Sequence, residues 1–466
     1  MLFNSYVFLF GFLPPVLLLW WGLREKNLRL AFLTAASWTF YAWWDWRFLP
    51  LMLTTTMIDY YAALLIDRTD DERRRRLILI LSLGTNLGLL AYFKYVSFFV
   101  DSLDGIGKAL GLPVDLPTLK ILLPIGISFY TFNSMSYTID VYRRQMKPTK
   151  HLLEYTSFVA LFPHLIAGPI VRYTDLAEQL KRPARVLTSR MAALGLFFLA
   201  CGLVKKLLLA DQLDPHVDLL FAQPSELGFV SAWAAAFGYS LQLYFDFSGY
   251  SDMAVGLALL IGFRFPQNFN SPFKAQNISD FWRRWHMTLS SWIRDYLFIP
   301  LGGSHRGTAR TTANLVVTMF LAGLWHGAAA TFVVWGLVHG ALLGGHGLLR
   351  KLGLTSPIVL LNRAVTLLLV VAAFVIFRAP DLHTAGLILS SMVGFGGVES
   401  VEQLRNLLSL EFAVILAVLF AFVQLAPNTW ELNVRPRVAY GVAIGLASAL
   451  AIMSIAEPHP FIYFQF

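Results

Sequence analysis

The residues best suited to chemistry in this sequence are two histidines. His286 lies in the stretch FWRRWHMTLSSWIRDYLFIPLGGS, and His326 lies in LAGLWHG, between Gly323 and Gly327. An imidazole titrates near neutrality, so it can take a proton from a hydroxyl while that oxygen attacks a carbonyl. Acyl transfer to an alcohol needs that step. Around His286, the recurrence of Trp282, Trp285, Leu289, Trp292, Ile293 and Tyr296 predicts one helix over residues 282–301 with an aromatic face. At about 100° per residue, Arg283, His286, Ser290 and Arg294 would share an arc at the edge of that face. Such groups are expensive beside lipid and normally face a protein interior or a water-filled cavity, where they mark function. His326 sits near the end of the apolar run 314–330, and its flanking glycines allow a ligand or another backbone to approach closely. The two histidines are far apart in the chain, so tertiary folding must bring them together.

Trp325, beside His326, and Asn270, in the polar loop FRFPQNFNSPFKAQNIS, join Arg283, Ser290 and Arg294 as candidate substrate- or donor-binding residues. Asp246 and Asp252 flank SGY and are expected either to line a cavity or to pair with Arg283 or Arg284. His164, in LFPHLIAGPI, is better explained as a packed histidine bonded to a freed carbonyl than as a functional group. His339 and His346 are seven residues apart and share a helix face, but no third ligand stands near them, so no metal site is expected. Nucleophile-elbow, phosphate-loop, dinucleotide and HExxH patterns do not occur, which leaves hydrolase, ATPase and zincin readings without an anchor. Cys201 is the only cysteine, so neither an intrachain disulfide nor a thiolate metal site can form.

The elements that must position these groups are membrane helices. Of 466 residues, 57% are hydrophobic and only 14% charged, with a mean hydropathy of +0.60. That balance is far from the soluble one of about a quarter charged, and apolar runs recur from end to end. We read an all-α, multi-pass membrane protein of about eleven or twelve crossings, in one domain over residues 1–466. The net charge of +9 comes from short Lys and Arg clusters between apolar runs, which report orientation and not a nucleic-acid partner. Arg24, Lys26 and Arg29 put the first inner loop after the run 6–23, followed by spans at 30–44 and 48–66. Arg73–Arg76 and Arg143–Lys150 are inner, whereas Asp101, Asp104 and Asp115 are outer.

Basic loops flank residues 152–171 on both sides, so LFPHLIAGPI is read as a re-entrant element broken by Pro163, Gly168 and Pro169. Residues 192–210 are read as leading out to an acidic loop with Asp211, Asp214 and Asp218, with Lys205 and Lys206 snorkelling. A span at 229–247 and a short apolar piece at 253–261 then return inward. Ser279 is the expected cap of the helix that carries His286, with Asp280 in its first turn. That helix has basic residues on both sides, Arg306 and Arg310 following it, and is expected to dip into the membrane or lie on its surface. Residues 312–330 and 332–349 form an outward and a returning span with almost no loop between them. Arg435 and Arg437 mark the last inner loop.

Beyond these readings, FWRRWHMTLSSWIRDYLFIPLGG followed by LWHG resembles the membrane-bound O-acyltransferase family. LFNSYVFLFGFLP, LPIGISFYTFNSMSYTIDVYR, LFPHLIAGPIVRY, YFDFSGYSDMAVGLALLIGFRFPQNFNSPF and FIYFQF extend the resemblance over nearly the whole chain, narrowing it to the alginate O-acetyltransferase branch. The resemblance implies a ring of helices around a thin centre, with a tunnel joining a cytoplasmic acyl donor to an acceptor on the other side. It implies that His326 is the essential histidine and that His286 is the second active-site position. It further implies acetyl-CoA as substrate with no tightly bound cofactor, periplasmic partner proteins, a polysaccharide acceptor and residence in the bacterial inner membrane. A D-alanyl transferase of teichoic acid, a transporter and a non-catalytic scaffold remain alternatives at this point.

Overall fold

A computed structural model describes residues 1–111, 121–305, 307–432, 438–455 and 461–462, and all regular structure among them is helical. Asp115, Arg306, Arg435, Arg437 and the end of the FIYFQF motif lie outside the described residues. The chain forms two compact units.

The first unit comprises residues 1–196 and 254–266. It contains α1 (Leu13–Gly22), α2 (Lys26–Asp45), α3 (Leu49–Arg68), α4 (Glu72–Ala109), α5 (Ile127–Tyr142), α6 (Leu152–Ala160), α7 (Phe162–Leu165), α8 (Tyr173–Lys181) and the start of α9 (Ser189–Leu203). Helices α2 and α3 match the two expected spans. Helix α5 is buried almost throughout although it carries Thr131, Asn133, Ser134, Ser136, Thr138 and Asp140. Its neighbours, and not lipid, therefore meet those polar groups. The fully buried Asp59 is held in the same way, accepting from Ser82 Oγ at 2.5 Å and Asn86 Nδ2 at 2.8 Å.

The LFPHLIAGPI segment is broken as its prolines and glycine predict. Helix α6 stops at Ala160, Pro163 opens the single turn of α7, and Gly168 takes a φ of 109° in the buried non-helical stretch that follows. His164 is fully buried. Its Nδ1 meets the side-chain amide of Asn133 at 3.0 Å, and the backbone carbonyl of Phe158, in the last turn of α6, also interacts with the ring, as the sequence leads one to expect.

The second unit, residues 197–253 and 267–466, departs from the sequence reading at its start. Helix α9 runs through a π-helical turn, Val204–Ala210, directly into α10 (Asp211–Ala222), so the expected acidic loop is helical. Helix α11 (Phe229–Leu260) is continuous where a break was expected. Lys205 and Lys206 do not snorkel. Lys206 Nζ lies 2.7 Å from Asp246 Oδ1 and 2.8 Å from Asp211 Oδ1, and Lys205 Nζ lies 2.6 Å from Asp252 Oδ2. Asp246 and Asp252 are therefore engaged by these lysines and not by Arg283 or Arg284. The expected pairing fails because the π turn presents two successive ammonium groups to α11, and buried charge takes the nearest opposite charge.

The rest of this unit comprises α12 (Ile278–Trp282), α13 (Met287–Ile293), α14 (Gly307–His326), α15 (Ala330–Lys351), α16 (Val359–Arg378), α17 (Leu382–Met392), α18 (Val401–Leu407), α19 (Leu410–Leu425) and α20 (Val438–Met453). Asn277, not Ser279, caps α12, its side chain accepting from the Asp280 N–H at 2.8 Å. Asp280 is in the first turn as expected.

Five helical stretches among the described residues are long and apolar enough to cross a membrane: Lys26–Arg68, Glu72–Asp104, Ser189–Ala222, Ala330–Lys351 and Val359–Arg378. Helices α18 and α19, bent by 78°, make a sixth if taken together. This is fewer than the charge pattern counts, because Val7–Gly22, Leu382–Met392 and Tyr440–Met453 are shorter and α5 and α11 carry many buried polar groups.

Removing one member of a buried ion pair strands the other, at a cost of about 3–5 kcal/mol. Lys206→Met leaves Asp246 and Asp211 without their cation and should markedly lower the apparent Tm of the detergent-purified protein. An unchanged melting curve would show that the pair does not hold α11.

Candidate active site

The single helix predicted around His286 is two short helices with a turn between them. Helix α12 ends at Trp282, α13 begins at Met287, and His286 adopts the left-handed conformation, φ 43° and ψ 55°. Histidine is among the residues more tolerant of that region, but the conformation is still costly and needs support from its surroundings. The support comes from the preceding loop. Met287 N–H donates to Asn268 O and Asn270 N–H donates to Arg284 O, each at 2.9 Å, replacing helical hydrogen bonds across the break. The Asn268 side chain completes the turn: Oδ1 accepts from Thr288 Oγ1 at 2.8 Å and Thr288 N–H at 3.2 Å, while Nδ2 donates to Ser251 Oγ at 3.1 Å.

His286 Nδ1 lies 3.1 Å from the same Oδ1. That oxygen can only accept, so Nδ1 carries the hydrogen and Nε2 carries the lone pair. His286 is 1% exposed, and its Nε2 has no hydrogen-bond partner among the described residues. Burial lowers the pKa of this imidazole, which lies outside the spanning helices, so the ring is neutral at physiological pH. A buried acceptor left unpaired costs about 1–3 kcal/mol, and here it is available to a substrate hydroxyl.

His326 is the last residue of α14 and is buried. Its position depends on the close approach of α14 and α15. A Cβ at Gly323 would strike the Phe332 carbonyl, and one at Gly336 would strike the Met319 carbonyl. The glycine beside this histidine thus admits a backbone, one of the two partners its spacing allows. The His326 ring packs on Trp325 at 4.9 Å, Trp335 at 5.1 Å and Phe377 at 5.2 Å between centroids. One turn along α15, His339 packs on Trp335 at 4.7 Å and accepts at Nδ1 from Trp282 Nε1 at 3.3 Å. Phe281 stacks on His339 and on Trp285, Trp285 meets Phe269, and Phe269 stacks on His286. His286, His339 and His326 therefore belong to one continuous aromatic cluster.

The remaining candidates separate. Because the helix breaks, Arg283, His286, Ser290 and Arg294 share no helical arc. Ser290 Oγ donates to Trp285 O at 3.3 Å, and Arg294 pairs with Asp295 at 2.7 Å. Asn270 is held at both ends: its carbonyl accepts from Arg284 at 3.3 Å and its Oδ1 accepts from Asn428 at 3.0 Å. Arg284 pairs with Asp280 at 3.0 Å. Arg283 lines a cavity together with His346 and Arg350. Sequence reasoning missed Asn268, whose only signal was its place in PQNFNSP, and it considered His339 only as a metal ligand.

A family model for membrane-bound O-acyltransferases matches residues 39–383. The chain belongs to this family. Both histidines of the resemblance lie inside the matched region. The probable alginate O-acetylase of Pseudomonas putida is 41% identical over 496 aligned residues, covering 100% of both chains. The probable alginate O-acetylase of Pseudomonas aeruginosa is 46% identical over 89% of this chain and 79% of its own. The peptidoglycan O-acetyltransferase of Helicobacter pylori is 39% identical over 85% and 81%.

Asn268→Ala frees the turn and leaves the His286 tautomer unspecified. Small misplacements of catalytic groups cost on the order of 10²-fold, so a drop of that size is expected in the initial rate per unit of membrane-inserted acyltransferase. Asn268→Asp still offers an acceptor to the same three donors and should retain more activity. Equal activity in Asn268→Ala and the parent would remove Asn268 from the site.

Proposed function

We propose that this O-acyltransferase moves an acetyl group from a cytoplasmic thioester donor, acetyl-CoA, to hydroxyls of an extracytoplasmic polysaccharide. Periplasmic partner proteins assist in delivery, and the enzyme resides in the bacterial cytoplasmic membrane. The observation that carries this reading is the union of His286 and His326 in one buried aromatic cluster, with His286 Nε2 free to accept. It is supported by end-to-end similarity to relatives named for acetylating alginate and by similarity to one named for acetylating peptidoglycan. Their common acceptor chemistry is a sugar hydroxyl, so we take the acceptor to be a polysaccharide of that kind.

In this mechanism His326 takes the proton of the acceptor hydroxyl as its oxygen bonds to the thioester carbonyl carbon. The carbon–sulfur bond then breaks, and the proton passes from His326 to the leaving thiolate. His286, held by Asn268, accepts at Nε2 from a neighbouring hydroxyl of the acceptor sugar and so orients the reacting one, whose single proton goes to His326. Trp325 and Trp335 wall off the His326 ring and keep water from the thioester. Arg294, Ser290 and Asn270 have structural partners and take no part in the step.

The test is a proteoliposome assay with radiolabelled acetyl-CoA trapped inside and the acceptor, with its partner proteins, outside. Release of CoA thiol with label on the acceptor is the expected result. Intact donor outside would make the protein a transporter, and neither outcome would make it a scaffold. His326→Ala should lower turnover by roughly 10²–10⁴-fold at an unchanged membrane level. Normal turnover in that variant would overturn the mechanism. His286→Asn should retain more activity than His286→Ala, since an amide can orient a hydroxyl that a methyl cannot.

A further inference from the structure

A cavity of about 650 Å³ lies among α12, the C-terminal part of α15 and the N-terminal part of α16. Its lining is divided in chemistry. Arg283, His346 and Arg350 supply cationic or titratable groups, and no Asp or Glu lines it. Both guanidiniums are exposed, and neither has a carboxylate partner among the described residues, whereas the neighbouring Arg284 and Arg294 are each held by an aspartate. Two unneutralised guanidiniums in one cavity are suited to an anion, and their forked donors match a phosphate.

The other wall is aliphatic. Leu349 and Leu361 are 46% and 48% exposed, and Val365 and Leu369 are 46% and 43% exposed, all on helices long and apolar enough to span the membrane. Side chains of this kind on spanning helices face hydrocarbon, so the cavity opens toward lipid beside its cationic end. Arg350 and Lys351 end α15 and Arg363 lies near the start of α16, which by the excess of Lys and Arg in inner loops puts that end at the cytoplasmic leaflet.

We propose that this cavity is an inner-leaflet binding site for an anionic phospholipid. The headgroup phosphate bridges Arg283 and Arg350, and an acyl chain lies along Leu349, Leu361, Val365 and Leu369. Basic pockets between spanning helices on the cytoplasmic side recognise lipid in this way. A thioester donor arriving from water shares the phosphate chemistry but has no use for a half-exposed aliphatic wall.

The site also communicates with the histidine cluster. Arg283 follows Trp282, whose indole N–H donates to His339, and His339 and His326 pack on Trp335. Arg283 also opens the turn that ends at His286. A bound headgroup would restrain that turn and so raise turnover. Lipid occupancy is independent of the acyl-transfer reading, and only this effect on turnover rests on it.

The experiment is native mass spectrometry of the full chain released from nanodiscs containing equal amounts of phosphatidylglycerol and phosphatidylcholine. One retained phosphatidylglycerol is expected, in preference to phosphatidylcholine. Arg350→Gln and the double variant Arg283→Gln/Arg350→Gln should each weaken that retention, the double at least about tenfold, while still eluting as a single species. Millimolar CoA should not displace the lipid. Equal retention of both lipids, retention unchanged in the double variant, or displacement by CoA would each overturn the proposal, the last by assigning the cavity to the donor.

Discussion

Three donors converge on one oxygen, Oδ1 of Asn268, and the turn that carries His286 depends on them. Interrupting a helix frees backbone N–H groups, and within a membrane protein no bulk water is at hand to satisfy them. Asn268 satisfies the Thr288 N–H, and the same oxygen sets the hydrogen of His286 on Nδ1. One carboxamide therefore closes the break, stabilises a left-handed residue and selects the tautomer. The unpaired Nε2 follows from this arrangement and is not an isolated defect. In the same aromatic cluster the Trp335 indole N–H and His339 Nε2 also lack partners among the described residues, so His286 Nε2 is one of several buried polar atoms left unpaired there.

Charge is handled in two different ways in the second unit. Lys205 and Lys206 are drawn inward by a π turn and matched to Asp252, Asp246 and Asp211, and Asp246 also accepts the Ile462 N–H at 3.0 Å. These cations are consumed in holding helices together, because a desolvated ammonium without its counter-charge would unfold the region. Arg283 and Arg350 are left unmatched at the edge of a cavity. Exposure makes that arrangement tolerable, since an accessible guanidinium loses little hydration until a ligand displaces the water.

The α14–α15 hairpin provides the rigid part of the site. With no side chain at Gly323 or Gly336 the two backbones touch, so His326, at the end of one helix, meets Trp335 on the other. Aromatic rings then connect this hairpin to α12 and α13 through His339, Phe281 and Trp285. Rings of this size bury large areas and hold each other at definite angles, which suits a site whose parts come from separate elements.

Much of this was legible in the sequence. Its apolar runs, its Lys and Arg clusters and its proline and glycine breaks determine a multi-pass helical protein, with spans at α2, α3 and α15 and a broken segment at His164, because each is a local or periodic property of the chain. The motifs around His286 and His326 likewise identify the family, since they report shared ancestry irrespective of geometry. Tertiary structure alone decided the rest. Helical periodicity placed Arg283, His286, Ser290 and Arg294 on one arc, yet an acceptor from Asn268, eighteen positions earlier, stabilises a break that disperses them. Lys206 found Asp246 and not water, and His339 found Trp282, for the same reason. A buried polar group takes whichever partner folding brings within about 3 Å, and that partner is set by long-range packing, which local sequence patterns do not encode.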